Sequence, residues 1–267
     1  MLRSIIPGIV GWTVFFLVSA LNIVVGITLQ LLVLPFDRLR KTSLWVCHYI
    51  WGHTLWGAQP LWRLHRTGVE KVGPGPYLLV ANHQSVLDIP AAMTLPIPLR
   101  VMGKKSLFFV PFMGHYMRFS RQFAVSANPT PSQAKRLTQR ITKNLENGVS
   151  VMIFPEGTRS ADGRLANFNK GAFRLSIDTG VPVLPVAIRG TEFILGKGLL
   201  WTHQWIANVY LEVLDPVDPG QFTTARKMSK EVQSQIQTTL EAIDERRGVR
   251  IPWTLGRNVH RSLESTG

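Results

Sequence analysis

At 267 residues the chain suits one sizeable α/β domain with an appendage better than two full domains, and with 45% hydrophobic against 17% charged residues it is greasy for a freely soluble protein. Lysine and arginine outnumber aspartate and glutamate 30 to 16, a formal charge of +14 that points to an anionic partner. The cations form no long blocks and most tryptophans gather in an apolar N-terminal region, which favours a membrane surface over nucleic acid, and the single cysteine, Cys47, excludes an internal disulfide or a Cys-x-x-Cys metal site.

No charged residue occurs from Ile5 to Phe36. As one helix that stretch would be about 48 Å long, more than a ~30 Å hydrocarbon core. A membrane-embedded segment is expected, either one tilted span or a hairpin broken near Asn22, with Pro7, Gly8, Gly11 and Gly26 as further breaks. The apolar stretch exceeds the h-region of a cleaved signal peptide and no small-residue cleavage site follows it. Arg38, Arg40 and Lys41 come next and place the remaining chain on the cytoplasmic side.

Leu44 to Leu64, with Trp45, Trp51, Trp56 and Trp62, reads as an interfacial helix broken near Gly57 or Pro60; an ordinary core helix is the rival. His48 and His53 have no carboxylate or cysteine at ligand spacing, so no metal is expected there. Residues 1–66 are therefore drawn as a membrane-anchoring helical region.

After Gly73-Pro74-Gly75-Pro76 the pattern changes. Strands are predicted at Tyr77–Ala81, Leu99–Met102, Phe123–Ser126, Val149–Phe154, Val181–Ile188 and Trp205–Val213. Helices are predicted at Ser132–Glu146, stopped by Asn147-Gly148, and at Met228–Ile243. This alternation predicts an α/β domain over 67–246, a mostly parallel sheet flanked by helices, followed by a basic tail over 247–267.

The first strand runs into Asn82-His83-Gln84-Ser85-Val86-Leu87-Asp88, so it delivers a histidine and a carboxylate to the sheet edge where ligands bind. Histidine can take a proton from an alcohol near neutral pH when a carboxylate fixes its tautomer and steadies the imidazolium. Five residues along a regular helix leave two side chains roughly 140° apart. His83 is therefore placed in the strand-to-helix turn and Asp88 in the helix's first turns, with Ser85 as N-cap. The fourth strand ends in the same way, in Phe154-Pro155-Glu156-Gly157-Thr158-Arg159-Ser160. A guanidinium, freed backbone N–H groups and a carboxylate can together grip a polyol phosphate.

The two motifs in this order resemble those of the glycerolipid acyltransferases, in particular the 1-acylglycerol-3-phosphate acyltransferase group. Lys104-Lys105-Ser106-Leu107-Phe108-Phe109-Val110-Pro111-Phe112-Met113-Gly114 is similar to the family's second block and Val181-Pro182-Val183-Leu184-Pro185-Val186 to its fourth, so the likeness covers roughly 76–190. The resemblance implies transfer of an acyl chain from a thioester, on coenzyme A or acyl carrier protein, to a lysophospholipid hydroxyl. It implies His83 as general base and Asp88 as its orienting partner. Glu156, Gly157, Thr158 and Arg159 would bind the glycerol-phosphate part, with Lys104 as a further phosphate ligand. No cofactor or metal is implied, because the thioester carries the activation.

One departure stands out. The second block of the family closes with an Ile-Asp-Arg-like triplet, where this chain has Val125-Ser126-Ala127. Either Arg118 or Arg121 reaches the same anion, or the acceptor is another lyso-lipid, such as a lyso-aminolipid. A serine hydrolase would need a Gly-x-Ser-x-Gly elbow, which is absent, and Gly196-Lys197-Gly198 lacks the spacing of a phosphate loop. A non-enzymatic membrane-binding module would account for the charge and tryptophans but leave both polar motifs unexplained.

Overall fold

The computed structural model describes residues 2–33, 36–37, 41–109, 113–126, 128–160, 163–196 and 206–248. Its strands are β1 (Trp62–Thr67), β2 (Leu78–Ala81), β3 (Leu99–Lys104), β4 (Phe123–Val125), β5 (Ser150–Ile153), β6 (Val183–Arg189) and β7 (Ala207–Val213). They form one sheet in the order β1-β7-β6-β2-β5-β3-β4, and every pairing is parallel except β6 with β7. The mostly parallel sheet flanked by helices is thus present as expected. Every residue of the central strands β2, β5 and β6 is buried, which requires cover on both faces.

The period of two along β2 splits that core. Leu79 and Ala81 face Met152, Leu184 and the short helix α3 (Asp88–Ala92), together with Trp56. Leu78 and Val80 face the opposite layer, made by α5 (Pro131–Glu146), α6 (Gly171–Thr179) and α8 (Ala225–Arg246). The fit of α8 follows from its apolar stripe, Met228, Val232, Ile236 and Leu240, all fully buried at helical spacing. Thr130 and Gln133 form a reciprocal capping box that starts α5. The remaining short helices are α4 (Met113–Phe119) and α7 (Thr191–Leu195).

The N-terminal region differs from the sequence reading in two respects. First, α1 (Leu2–Val33) is one uninterrupted helix through Asn22, so no hairpin forms there, and its turn-back partner is α2 (Lys41–Ala58). The residues expected to break the helix instead let it approach its neighbours. A Cβ on Gly11 would collide with the Trp62 ring, and Gly26 packs on Cys47 and Tyr116. The buried Asn22 amide, oriented to donate to the Cys47 carbonyl and accept from the Trp51 N–H, meets the backbone of α2. The outward face of α1 stays apolar and exposed at Phe16, Leu17, Leu21 and Val24, and Ile9–Val33 is long and apolar enough to cross a membrane.

Second, the break expected near Gly57 or Pro60 within Leu44–Leu64 is found, but the helix before it is a packed core helix, the rival reading, and not an interfacial one. α2 ends at Ala58 and is packed between α1 and the sheet, with Leu55 and Trp56 buried. His48 is buried and its Nδ1 donates to the Leu99 carbonyl at 3.1 Å. Burial lowers its pKa to about 4. Trp62 opens β1, which pairs with β7 and runs across the boundary drawn at 66. Arg38, Arg40, Trp205, Val110-Pro111-Phe112, Ala127, Lys197-Gly198 and the tail from 249 lie outside the described residues.

Candidate active site

β2 and β5 are adjacent and parallel, with Val80 beside Ile153, so the loops that follow them emerge together at the carboxyl edge of the sheet. In the first loop His83 Nδ1 lies 2.8 Å from Asp88 Oδ2. A carboxylate oxygen accepts, so Nδ1 carries the hydrogen and Nε2 is left free to take a proton. Asp88 is fully buried, whereas the His83 side chain keeps 17% exposure, enough for a ligand to reach it. Phe154, at the end of β5, stacks on the imidazole with centroids 3.8 Å apart and planes 15° from parallel. The ring is thereby held on one face by an arene and at one nitrogen by a carboxylate.

Asp88 also folds the loop it sits on. Oδ2 accepts the backbone N–H groups of Gln84 at 2.7 Å and Ser85 at 2.9 Å, and Oδ1 accepts the Thr191 hydroxyl. Hence the expected N-cap role of Ser85 does not hold. Leu87 occupies the N-cap position of α3 without a side-chain bond, and the Ser85 hydroxyl donates to the Leu195 carbonyl while accepting from the Leu87 N–H. Asn82 does similar work on the other flank: its amide donates to the Ile188 carbonyl and accepts the Ile188 N–H, both at 2.8 Å, extending the β2–β6 junction beyond the last strand pair.

The second motif closes over the first. Glu156 Oε1 accepts the His83 N–H at 2.7 Å, Oε2 accepts the Ala166 N–H at 2.9 Å, and the Ser160 N–H donates to the His83 carbonyl at 2.8 Å. Glu156 is buried and therefore differs from the expected picture of a carboxylate open to an acceptor hydroxyl. It braces the histidine loop, and burial raises its pKa, with the two backbone bonds opposing. Gly157 adopts the left-handed region at φ 73°, which glycine enters without the Cβ penalty, and both it and Thr158 are exposed. Arg159 is half-buried beside this turn, and among the described residues no ion pair or hydrogen bond holds its guanidinium. Lys104 is exposed at the end of β3, on the same edge but two strands from β2.

Thr191 was not apparent from the sequence. It follows β6, the other neighbour of β2, so its position at the site depends on strand order rather than on any local motif. The signal available was the strand end itself: residues just beyond a strand predicted next to the catalytic one are candidates for its carboxyl edge.

The site thus sets an imidazole, held at Nδ1 by a buried carboxylate, next to a turn that carries an unpaired arginine, an arrangement able to move a proton beside an anion. Residues 63–189 match the family model described as Acyltransferase, and the chain belongs to that family. It is 34% identical over 193 residues to the chloroplastic 1-acyl-sn-glycerol-3-phosphate acyltransferase of Brassica napus, covering 69% of this chain and 54% of the relative. With the 1-acyl-sn-glycerol-3-phosphate acyltransferase of Escherichia coli it shares 28% over 200 residues, 73% of this chain and 80% of the relative. The crystal structure of the 1-acyl-sn-glycerophosphate acyltransferase PlsC from Thermotoga maritima aligns with a TM-score of 0.76 at 26% identity, covering 91% of this chain and 97% of that one. The chain spans about half the length of the chloroplastic relative.

Proposed function

We propose that this protein transfers a fatty acyl chain from an acyl-thioester to the free hydroxyl of 1-acylglycerol-3-phosphate, giving phosphatidate. The observation that carries the reading is the 2.8 Å contact of His83 with the fully buried Asp88, set beside the free guanidinium of Arg159. His83 Nε2 removes the acceptor's hydroxyl proton as its oxygen attacks the thioester carbonyl. The resulting tetrahedral intermediate expels the thiolate, which takes the proton back from Nε2. Proton removal contributes about 10²- to 10⁴-fold, since an alcohol is almost wholly protonated at neutral pH. Arg159 and the Thr158 N–H hold the phosphate, the Gly157 N–H being taken by the Phe154 carbonyl at 3.0 Å, and Glu156 keeps the histidine loop in place.

A lyso-aminolipid acceptor is the second reading. It is favoured by Val125-Ser126-Ala127, which supplies no cation where the resemblance leads one to expect an arginine. We read the exposed apolar face of α1 as the membrane contact, with the sheet on the cytoplasmic side. The test uses membranes containing wild type or His83→Ala, labelled acyl-coenzyme A or acyl carrier protein, and a panel of lyso-lipids. Wild type is expected to acylate the glycerophosphate acceptor and His83→Ala to lose that transfer while still sedimenting with membranes. Near-normal transfer by the variant overturns the mechanism.

A further inference from the structure

We propose that a second concavity, on the β4 side of the sheet, binds the phosphorylated nucleotide end of a coenzyme A thioester. The inference rests on the acyl-transfer reading above and assigns its donor. The cavity measures about 590 Å³, within the ~300–1,000 Å³ of small-molecule sites. Lys105 from the turn after β3, Arg118 and Arg121 from the end of α4, and Arg140 and Lys143 from α5 all line it. No carboxylate does so among the described residues. With Arg100 of β3, which is buried and bonded to Asn144, six cations line one concavity; they repel one another until a multiply charged anion enters, and guanidinium groups pair with phosphate through two parallel bonds.

Further features fit a nucleotide. Phe109, on the rim, is 69% exposed and offers a flat apolar face to a base, with the Arg118 guanidinium 5.3 Å from its ring centroid. Arg121 adopts a left-handed backbone at φ 56°, in the turn where the Gln122 N–H reaches back to the Met117 carbonyl. Glycine would take that conformation without penalty; here an arginine occupies it and puts its guanidinium on the cavity wall.

Position separates this cavity from the acceptor's phosphate. None of His83, Asp88, Glu156 and Arg159 lines it. In the order β2-β5-β3-β4 its strand stands three spacings from the strand that carries His83, about 14 Å. The three carbons of a glycerol cannot bridge that separation between reacting hydroxyl and phosphate, but a pantetheine arm between diphosphate and thiol can. A carrier protein presents its acidic groups on a convex surface, for which a concave wall is a poor match. Arg118 and Arg121, two candidates for replacing the missing triplet arginine, thus serve the donor.

The full chain in detergent is titrated calorimetrically with adenosine 3′,5′-bisphosphate, as wild type and as Arg121→Gly combined with Arg140→Gln. The first substitution relaxes the turn; the second lies on an exposed helix face but withdraws a guanidinium from above the buried Phe123 ring, so equal melting temperatures of the two proteins are the control for folding. Saturable wild-type binding is expected, weakened about tenfold or more in the double variant and by added salt. The preference for acyl-coenzyme A over S-acyl-pantetheine, as a ratio of kcat/KM, should fall by a similar factor. Absence of binding, equal binding by both proteins, or displacement of the nucleotide by glycerol 3-phosphate or anionic vesicles at matched concentration overturns the assignment. Nucleotide binding lost in the double variant, together with full acyl transfer by His83→Ala, would keep the cavity and remove only the catalytic reading.

Discussion

Asp88 accepts four hydrogens, from His83, Gln84, Ser85 and Thr191, and has no exposure to water. An amide in its place would point N–H groups at donors. Asp88→Asn should therefore lower kcat about 10²- to 10³-fold while leaving the KM for the acceptor within about twofold; an unchanged kcat would show that the carboxylate does not orient the base. Thr191→Val keeps the shape but removes the hydrogen to Oδ1, leaving a buried acceptor short of a partner at a cost of about 1–3 kcal/mol. The expected result is a kcat about tenfold lower at constant KM, restored by Thr191→Ser, and failure of serine to rescue would reduce Thr191 to a packing role. The His83–Asp88 pair was legible from its spacing at a strand end. Glu156 was legible as a site residue but not as a brace, because its partners, His83 and Ala166, are set by the pairing of β2 with β5 and by a loop ten residues on.

Among the elements, α5 and α8 were legible because each carries a strong apolar period, and α5 also because Asn147-Gly148 stops it; their threonine caps, Thr130 and Thr224, emerged only from the structure. β1 was not, because its Trp-Arg-Leu-His-Arg-Thr follows directly on tryptophans at helix-like spacing, and only pairing with β7 selects the extended form. α2 offers a pH test. His48 is neutral and buried in the fold, with a pKa near 4, whereas an unfolded histidine titrates near 6.5. The unfolded chain thus binds more protons between those values, and stability rises with pH across that window, by about 3 kcal/mol in total. Glu156 and Glu192, raised by burial, tilt the other way, so the measurement is the difference between wild type and His48→Gln in melting temperature from pH 4 to 6.5. The variant should be less sensitive to acid; parallel curves would refute the assignment. For α1, lysines in place of Leu17, Leu21 and Val24 should move the protein from the membrane pellet to the supernatant while changing the melting temperature little, because those side chains face outward.

Across the whole molecule, one ion pair fastens the closing helix to the site. Arg189, at the end of β6, is fully buried and makes two 2.8 Å bonds to Asp244 on α8, while its third nitrogen donates to the Gly163 carbonyl. Gly163 also accepts from the Gln84 amide, so the same loop touches the histidine turn. Arg189 also pairs with Glu192 at 3.3 Å, so its charge keeps a partner when Asp244 is removed; Asp244→Ala loses the two bonds to α8 and should cost about 2 kcal/mol, read as the urea midpoint at constant slope. At this scale parallel strands were predictable from alternation, but their order was not, since it is decided by contacts between residues a hundred positions apart, such as Asn82 with Ile188.

Because β7 runs against β6, β1 runs against β2, and Trp62 stands level with the carboxyl ends of the strands that carry the proposed site. The greasy helices therefore join the sheet at the rim where chemistry is proposed, and Gly11 of α1 rests on that same indole. A lysolipid lying in the outermost layer of a bilayer would need to rise by only a headgroup's depth to meet the imidazole, with its tail still in hydrocarbon. Turnover should then follow the mole fraction of acceptor in a mixed micelle rather than its bulk concentration.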